Sequence, residues 1–247
     1  MKLAVYLFLA LTLGLVQSCK KEVVNAGPSA SQSTSQNKIM PLGASRVEGA
    51  PPSFESYRYE LWKLLKDGGY DFDFVGTEAD SYSYGQYNGQ TFDADHEGRG
   101  GITAAEIRNG LPGWLDQGGI PDIVLFSSPG GNDLLGGTNY QDVLLDVNAI
   151  IDILQSYNPN VTILIEQMAP SDAATMTQQF TAIYNTVLQE IGNIAQQQTT
   201  TTSSVMVVNM STGFDANQFL ADDVHYNQAG ASFIANQYYQ VLQGVLQ

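Results

Sequence analysis

What most constrains this chain is an alternation. From residue 38 onward, short runs that are either apolar or alternate apolar with polar residues are separated by longer stretches with helical spacing. The runs fall at 38–42, 70–75, 121–127, 161–166 and 205–209. The third contains Ile123-Val124-Leu125-Phe126, with no polar position in four residues, which predicts a strand buried on both faces. Between the runs, 53–66 carries Tyr57, Leu61, Leu64 and Leu65 on one helical face and stops at Gly68-Gly69. Thr103-Ala104-Ala105-Glu106 has the form of a capping box and opens a short helix ending near Gly110. Longer amphipathic helices are expected at 139–156, 171–196 and 227–246. Strands that alternate with helices pair in parallel and are covered on both faces. The expected fold class is therefore α/β, a three-layer α/β/α sandwich around a five-stranded parallel sheet, with ligands bound beyond the carboxyl ends of the strands.

The first residues follow other rules. Met1-Lys2, an apolar run from Leu3 to Val16, and Gln17-Ser18 before Cys19 read as an export signal, too short to span a bilayer comfortably. Val16-Gln17-Ser18-Cys19 resembles a bacterial lipobox, which makes residues 1–18 a lipoprotein signal peptide and Cys19 a lipidation site. The alternative is an ordinary secretion signal with an incidental cysteine. Residues 19–37 are rich in Ser, Gln, Asn and Gly and read as a flexible linker with a reach of roughly 25 Å. The folded domain is expected to occupy 38–247. The expected location is the cell envelope or surface of a bacterium, with contact to the membrane only through the lipid.

Charge narrows the partners. The chain carries 25 Asp and Glu against 10 Lys and Arg, a formal charge of −15. Residues 109–247 hold 12 of the acids and no base. Nucleic acid and anionic lipid both reward basic stripes, so neither fits. A single cysteine excludes an internal disulfide, and His96 and His225 are the only imidazoles in the chain.

Four segments stand out, each after a strand or in the loop beyond one. They are Gly43-Ala44-Ser45-Arg46; His96-Glu97-Gly98-Arg99-Gly100-Gly101; Pro129-Gly130-Gly131-Asn132-Asp133; and Asp222-Asp223-Val224-His225. A serine between a strand and a helix can present its Oγ at the top of a sheet. Serine needs a base to take its proton, and the base needs a partner that fixes its tautomer. Asp222 and His225 lie three apart and can share one face of a helical turn.

Together these blocks resemble the SGNH, or GDSL-type, hydrolase superfamily, and within it the acetylxylan-esterase-like group of carbohydrate esterase family three. The resemblance covers 38–247 and implies a flavodoxin-like sheet. It implies Ser45 as nucleophile, His225 as base, Asp222 as its orienter, and an oxyanion hole from Ser45, Gly101 and Asn132. Gly98 is the alternative glycine. The implied activity is hydrolysis of O-acyl esters, O-acetyl first, on a polysaccharide such as xylan or on a small ester, with no metal and no organic cofactor. A lysophospholipase or thioesterase is the alternative within enzymes. The first block departs from the family's Gly-Asp-Ser, because Ala44 replaces the aspartate, and that departure raises a non-catalytic glycan-binding lipoprotein as a second alternative.

Arg46 and Arg99 are out of keeping with the acidic chain and are candidate substrate-binding residues; plain pairing with Glu48 or Glu97 is the other reading. His96 is expected to be structural and Asp133 to fix a loop. Asp93-Ala94-Asp95-His96-Glu97 lacks the spacing of a calcium or zinc site. Tyr82, Tyr84 and Tyr87 either stack on sugar rings or cover the end of the sheet.

Overall fold

The structure is a computed structural model that describes residue 35 and residues 37–246. Cys19, the signal and most of the linker lie outside the described residues. In chain order the elements are β1 (Lys38–Gly43), α1 (Ser45–Glu48), α2 (Arg58–Asp67), β2 (Asp73–Phe74), β3 (Glu78–Ala79), β4 (Asp95–Gly98) and α3 (Ala104–Gly118). They continue as β5 (Ile123–Phe126), α4 (Gly131–Leu135), α5 (Tyr140–Tyr157), β6 (Thr162–Gln167), α6 (Gln178–Gln198), β7 (Ser204–Asn209), α7 (Ala216–Phe219) and α8 (Gln228–Leu242).

All five expected strands form, but the sheet has seven strands rather than five. The two additions lie in the long loop at 76–101. β4 pairs in parallel with the end of β1 (Leu42↔Glu97), while β2 pairs with its beginning (Lys38↔Asp73). These two short strands thus share one edge of β1, and β3 adds antiparallel to β4. On the other side the order runs β1, β5, β6, β7, all parallel. The order is flavodoxin-like, and its switch point lies between β1 and β5.

Alternate strand residues feed two cores, as a sheet covered on both faces requires. Met40, Val124, Phe126, Ile163 and Ile165 pack with α3, α5 and α6. Ile39, Ile123, Leu125 and Leu164 pack with α2 and α8. Helix boundaries follow caps more than hydrophobic pattern. α6 begins at Gln178, later than expected, because Thr177 accepts the Phe180 N–H and starts it there. α8 begins where Asn227 accepts the Ala229 and Gly230 N–H groups. α3 opens on the expected capping box but runs to Gly118, through Pro112, instead of ending near Gly110. Ile107, Leu111 and Leu115 form its buried stripe, and their burial outweighs the one backbone bond that proline removes.

Candidate active site

Ser45 opens α1 two residues beyond β1, so its N–H is one of the helix-start donors that have no intrahelical acceptor. α1 is short and needs support from outside. Val47 O accepts from Ser56 Oγ and from Arg58 Nε, each at 2.7 Å, and Glu48 O accepts from Arg58 Nη2 at 2.9 Å. Arg58 is fully buried, and its charge is met by Asp80 at 2.6 Å.

The segment before α8 brings Asp222 and His225 to this serine. Asp222 Oδ1 accepts the Val224 and His225 backbone N–H groups at 2.9 and 2.7 Å, closing a turn that folds the imidazole back over its own carboxylate. Asp222 Oδ2 then lies 2.8 Å from His225 Nδ1, and His225 Nε2 lies 2.9 Å from Ser45 Oγ. Phe54 stacks on the imidazole at 3.9 Å between centroids and 18° between planes. Partial burial would raise the Asp222 pKa. The His225 and Val224 N–H groups and the imidazole prevail and hold it below the ordinary carboxylate value.

Asn132 sits in α4 directly after β5, across the switch point. Its Nδ2 donates one hydrogen to Ile102 O at 2.9 Å, which leaves a second N–H and ties the third block to the residue after Gly101. Asp133 fixes the same junction, accepting the Ala104 N–H at 2.9 Å. Between the two candidate glycines the hydrogen bonds discriminate. The Gly98 N–H is spent on His96 Nδ1 at 3.0 Å. Gly101 has φ +77°, a conformation that favours glycine, and its N–H has no partner among the described residues. Ser45, Gly101 and Asn132 therefore each keep an uncommitted N–H at the carboxyl end of the sheet.

Ser45 and Asn132 also line one cavity of about 50 Å³. Its walls are mostly apolar: Leu134, Met168, Phe180 and Val224. A serine hydroxyl within hydrogen-bond reach of an imidazole, sharing a small apolar recess with the Asn132 amide, suits attack on an ester whose acyl part is short.

Arg46 lines the same cavity and is buried, with Nε on Val224 O at 2.8 Å and Nη1 on Ala169 O at 2.9 Å, and it forms no pair with Glu48 among the described residues. The remaining sequence candidates fall elsewhere. Arg99 does pair with Glu97, also meets Glu78 at 2.9 Å, and lies over the Trp114 ring, 3.9 Å from its centroid. His96 is buried against Asp80, and burial lowers its pKa, in keeping with a structural role. Tyr84 packs with Tyr59 and Phe92, and the Tyr87 hydroxyl donates to Asp67 at 2.6 Å, so both belong to an aromatic cover over α2. Sequence reasoning missed Phe54, Arg58 and Ser56. Only Arg58 left a trace, as a charge within the expected helix on a face where Leu61 and Leu65 follow.

A parallel sheet of this order, with serine, glycine, asparagine and histidine blocks gathered at its carboxyl ends, defines an SGNH-type hydrolase, a carboxylic ester hydrolase. No protein-family model and no curated protein matches the sequence. Solved structures do. The carbohydrate esterase family 3 structure from Talaromyces cellulolyticus is 30% identical, with 85% of this chain and 97% of that chain aligned and a TM-score of 0.73. The Clostridium thermocellum family 3 carbohydrate esterase is 32% identical over 85% and 99% of the two chains, with a TM-score of 0.68. An acetyl esterase variant with an acetate ion is 29% identical over 85% and 97%, with a TM-score of 0.73. The chain belongs to the acetylxylan-esterase-like group of the SGNH hydrolases, that of carbohydrate esterase family 3.

Proposed function

We propose that this esterase removes O-acetyl groups from a polysaccharide such as xylan, with Ser45 as nucleophile, His225 as general base and Asp222 as its orienter. The observation that carries this reading is the continuous line Asp222 Oδ2–His225 Nδ1 and His225 Nε2–Ser45 Oγ, at 2.8 and 2.9 Å. With a proton on Nδ1, Nε2 accepts from the serine hydroxyl. Ser45 Oγ attacks the ester carbonyl as its proton passes to Nε2. The charge that develops on the carbonyl oxygen meets the Ser45 and Gly101 N–H groups and the free amide hydrogen of Asn132. Collapse breaks the bond to the sugar oxygen, which leaves with the proton from Nε2. Water then gives a proton to His225 Nε2 and attacks the acyl-serine. As the bond to Ser45 Oγ breaks, that proton returns from Nε2 to Oγ, which frees the serine and releases acetic acid, ionised to acetate in water. No metal or organic cofactor enters the cycle.

The cavity beside Ser45 holds the acyl methyl. Its volume of about 50 Å³ favours a short acyl group over the long chain of a lysophospholipid. Asp222 and His225 are partly exposed beside Ser45, which leaves room there for the sugar of a polysaccharide. Lipidation at Cys19 would hold the domain at the cell surface on its linker, and a Cys19→Ser variant that leaves the membrane fraction would support that anchor. The function itself is tested by acetate release from acetylated xylan. Wild type releases acetate and Ser45→Ala does not; equal release by both contradicts the reading.

A further inference from the structure

Glu166 follows the apolar run Ile163-Leu164-Ile165 in β6, and it is wholly buried. A carboxyl group there is costly unless it holds something in place. What it holds is Ser128. Glu166 Oε2 accepts the Ser128 backbone N–H at 2.7 Å and the Ser128 hydroxyl at 3.3 Å. Ser128 is one of two non-glycine residues with positive φ among the described residues, at +45°, a conformation that persists only where its surroundings enforce it. The chain turns at this residue from β5 into the loop that carries Asn132, and Ser128 O accepts the Gly131 N–H at 3.0 Å.

The same hydroxyl accepts from Arg46 Nη1 at 3.3 Å. Arg46 follows Ser45 in α1, and its Nε holds Val224 O, one residue before His225. Its guanidinium also lies over the ring of Tyr226, 4.8 Å from the centroid, one residue after His225. One chain of contacts thus runs Glu166, Ser128, Arg46, Val224, and each link is adjacent to a different functional block. Burial raises the Glu166 pKa, while the Ser128 N–H, Tyr238, Arg46 and Ser127 act against that rise. With alanine at 44, the nucleophile turn has no carboxyl group at the position where the family motif places one, and the carboxyl group that reaches these loops is that of Glu166 in β6.

We infer that Glu166 is a positioning residue for the ester hydrolysis: through Ser128 and Arg46 it sets the relative placement of Asn132, Ser45 and His225. This rests on the reading of the site given above. The role is distinct from simple core stability, because misplacing oxyanion donors lowers turnover without weakening ground-state binding.

Steady-state hydrolysis of a small acetyl ester, with the melting temperature measured alongside, tests it. Glu166→Met removes the acceptor and should lower kcat by about 10–100-fold with KM changed less than about twofold. Glu166→Gln keeps an acceptor of the same shape and should retain kcat within about threefold of wild type. Ser128→Ala removes only the hydroxyl link, spares the fold, and should lower kcat by about 3–10-fold. If Glu166→Met melts too low to assay, Ser128→Ala carries the test alone. Unchanged kcat per folded molecule in Glu166→Met and Ser128→Ala, with Ser45→Ala inactive, overturns this inference alone. No hydrolysis by the wild type, or equal hydrolysis by Ser45→Ala, overturns the reading of the site beneath it.

Discussion

His225 is fixed from every side: Asp222 at Nδ1, Ser45 at Nε2, Phe54 on one face, and its own N–H on Asp222. Little is left for substrate binding to organise, so single substitutions should lower turnover without refolding the site. Asn132→Ala removes one oxyanion donor and is expected to lower kcat by about 10²–10³. Asp222→Asn keeps an oxygen for the turn but loses the charge facing the imidazole, and should cost on the order of 10³–10⁴. Asp222 is held below its ordinary pKa, so it stays ionised while activity falls in acid. Protonation of Asp222 should accordingly contribute to the acid limb of the wild-type pH–rate profile only below the ordinary carboxylate pKa of about 4; a contribution from it above that value contradicts this. At this scale the motif residues were legible because each lies within a few positions of its block. Arg46 was not. Its partners are more than 80 residues away in sequence, and spacing cannot show that its donors meet main-chain carbonyls and the Ser128 hydroxyl.

Among the elements, the strands were the clearest. An unbroken run such as Ile123–Phe126 has few other ways to be buried, whereas β4 was hidden because Asp95-His96-Glu97-Gly98 looks like a loop. Its His96 and Glu97 side chains can be buried because Asp80 meets the first and Thr77 and Arg99 the second. Gly110 misled for a different reason. It resembles a helix stop, yet a Cβ there would lie 2.2 Å from the Trp114 ring, so the glycine makes room for the tryptophan under Arg99. The approach to β4 carries a testable cost. Asp93 accepts the Phe74 N–H at 2.6 Å, and burial raises its pKa to about 6. The folded protein therefore binds a proton there that the unfolded chain releases near its ordinary pKa of about 4. Stability from this group is complete below that value and is lost as pH rises through about 6. Asp93→Asn should stabilise the fold at pH 7.5 by on the order of 1–2 kcal/mol, read as a higher melting temperature, and should give no gain at pH 4. An equal effect at both values contradicts the assignment.

Over the whole molecule, the topology decides what the blocks can do. Ser45 follows β1 and Asn132 follows β5, so the switch point of the sheet opens between the nucleophile and one oxyanion donor. His225 arrives from the far end of the chain, 180 residues away from Ser45. The flavodoxin-like order of the five main strands was legible through the family resemblance, and the apolar pattern alone supplied only their number and burial. The seven-stranded sheet differs from the expected one at a single edge, where β2 and β4 divide the length of β1 and the second block gains its position beside the first. The central claim, that this arrangement makes Ser45 a nucleophile, has a direct measurement. A p-nitrophenyl phosphonate should release one equivalent of p-nitrophenol per protein molecule, and intact-mass and peptide analysis should place the phosphonyl group on Ser45. The adduct should be absent in Ser45→Ala and form far more slowly in His225→Ala. An adduct on another residue, or one that forms as fast without His225, would contradict the account.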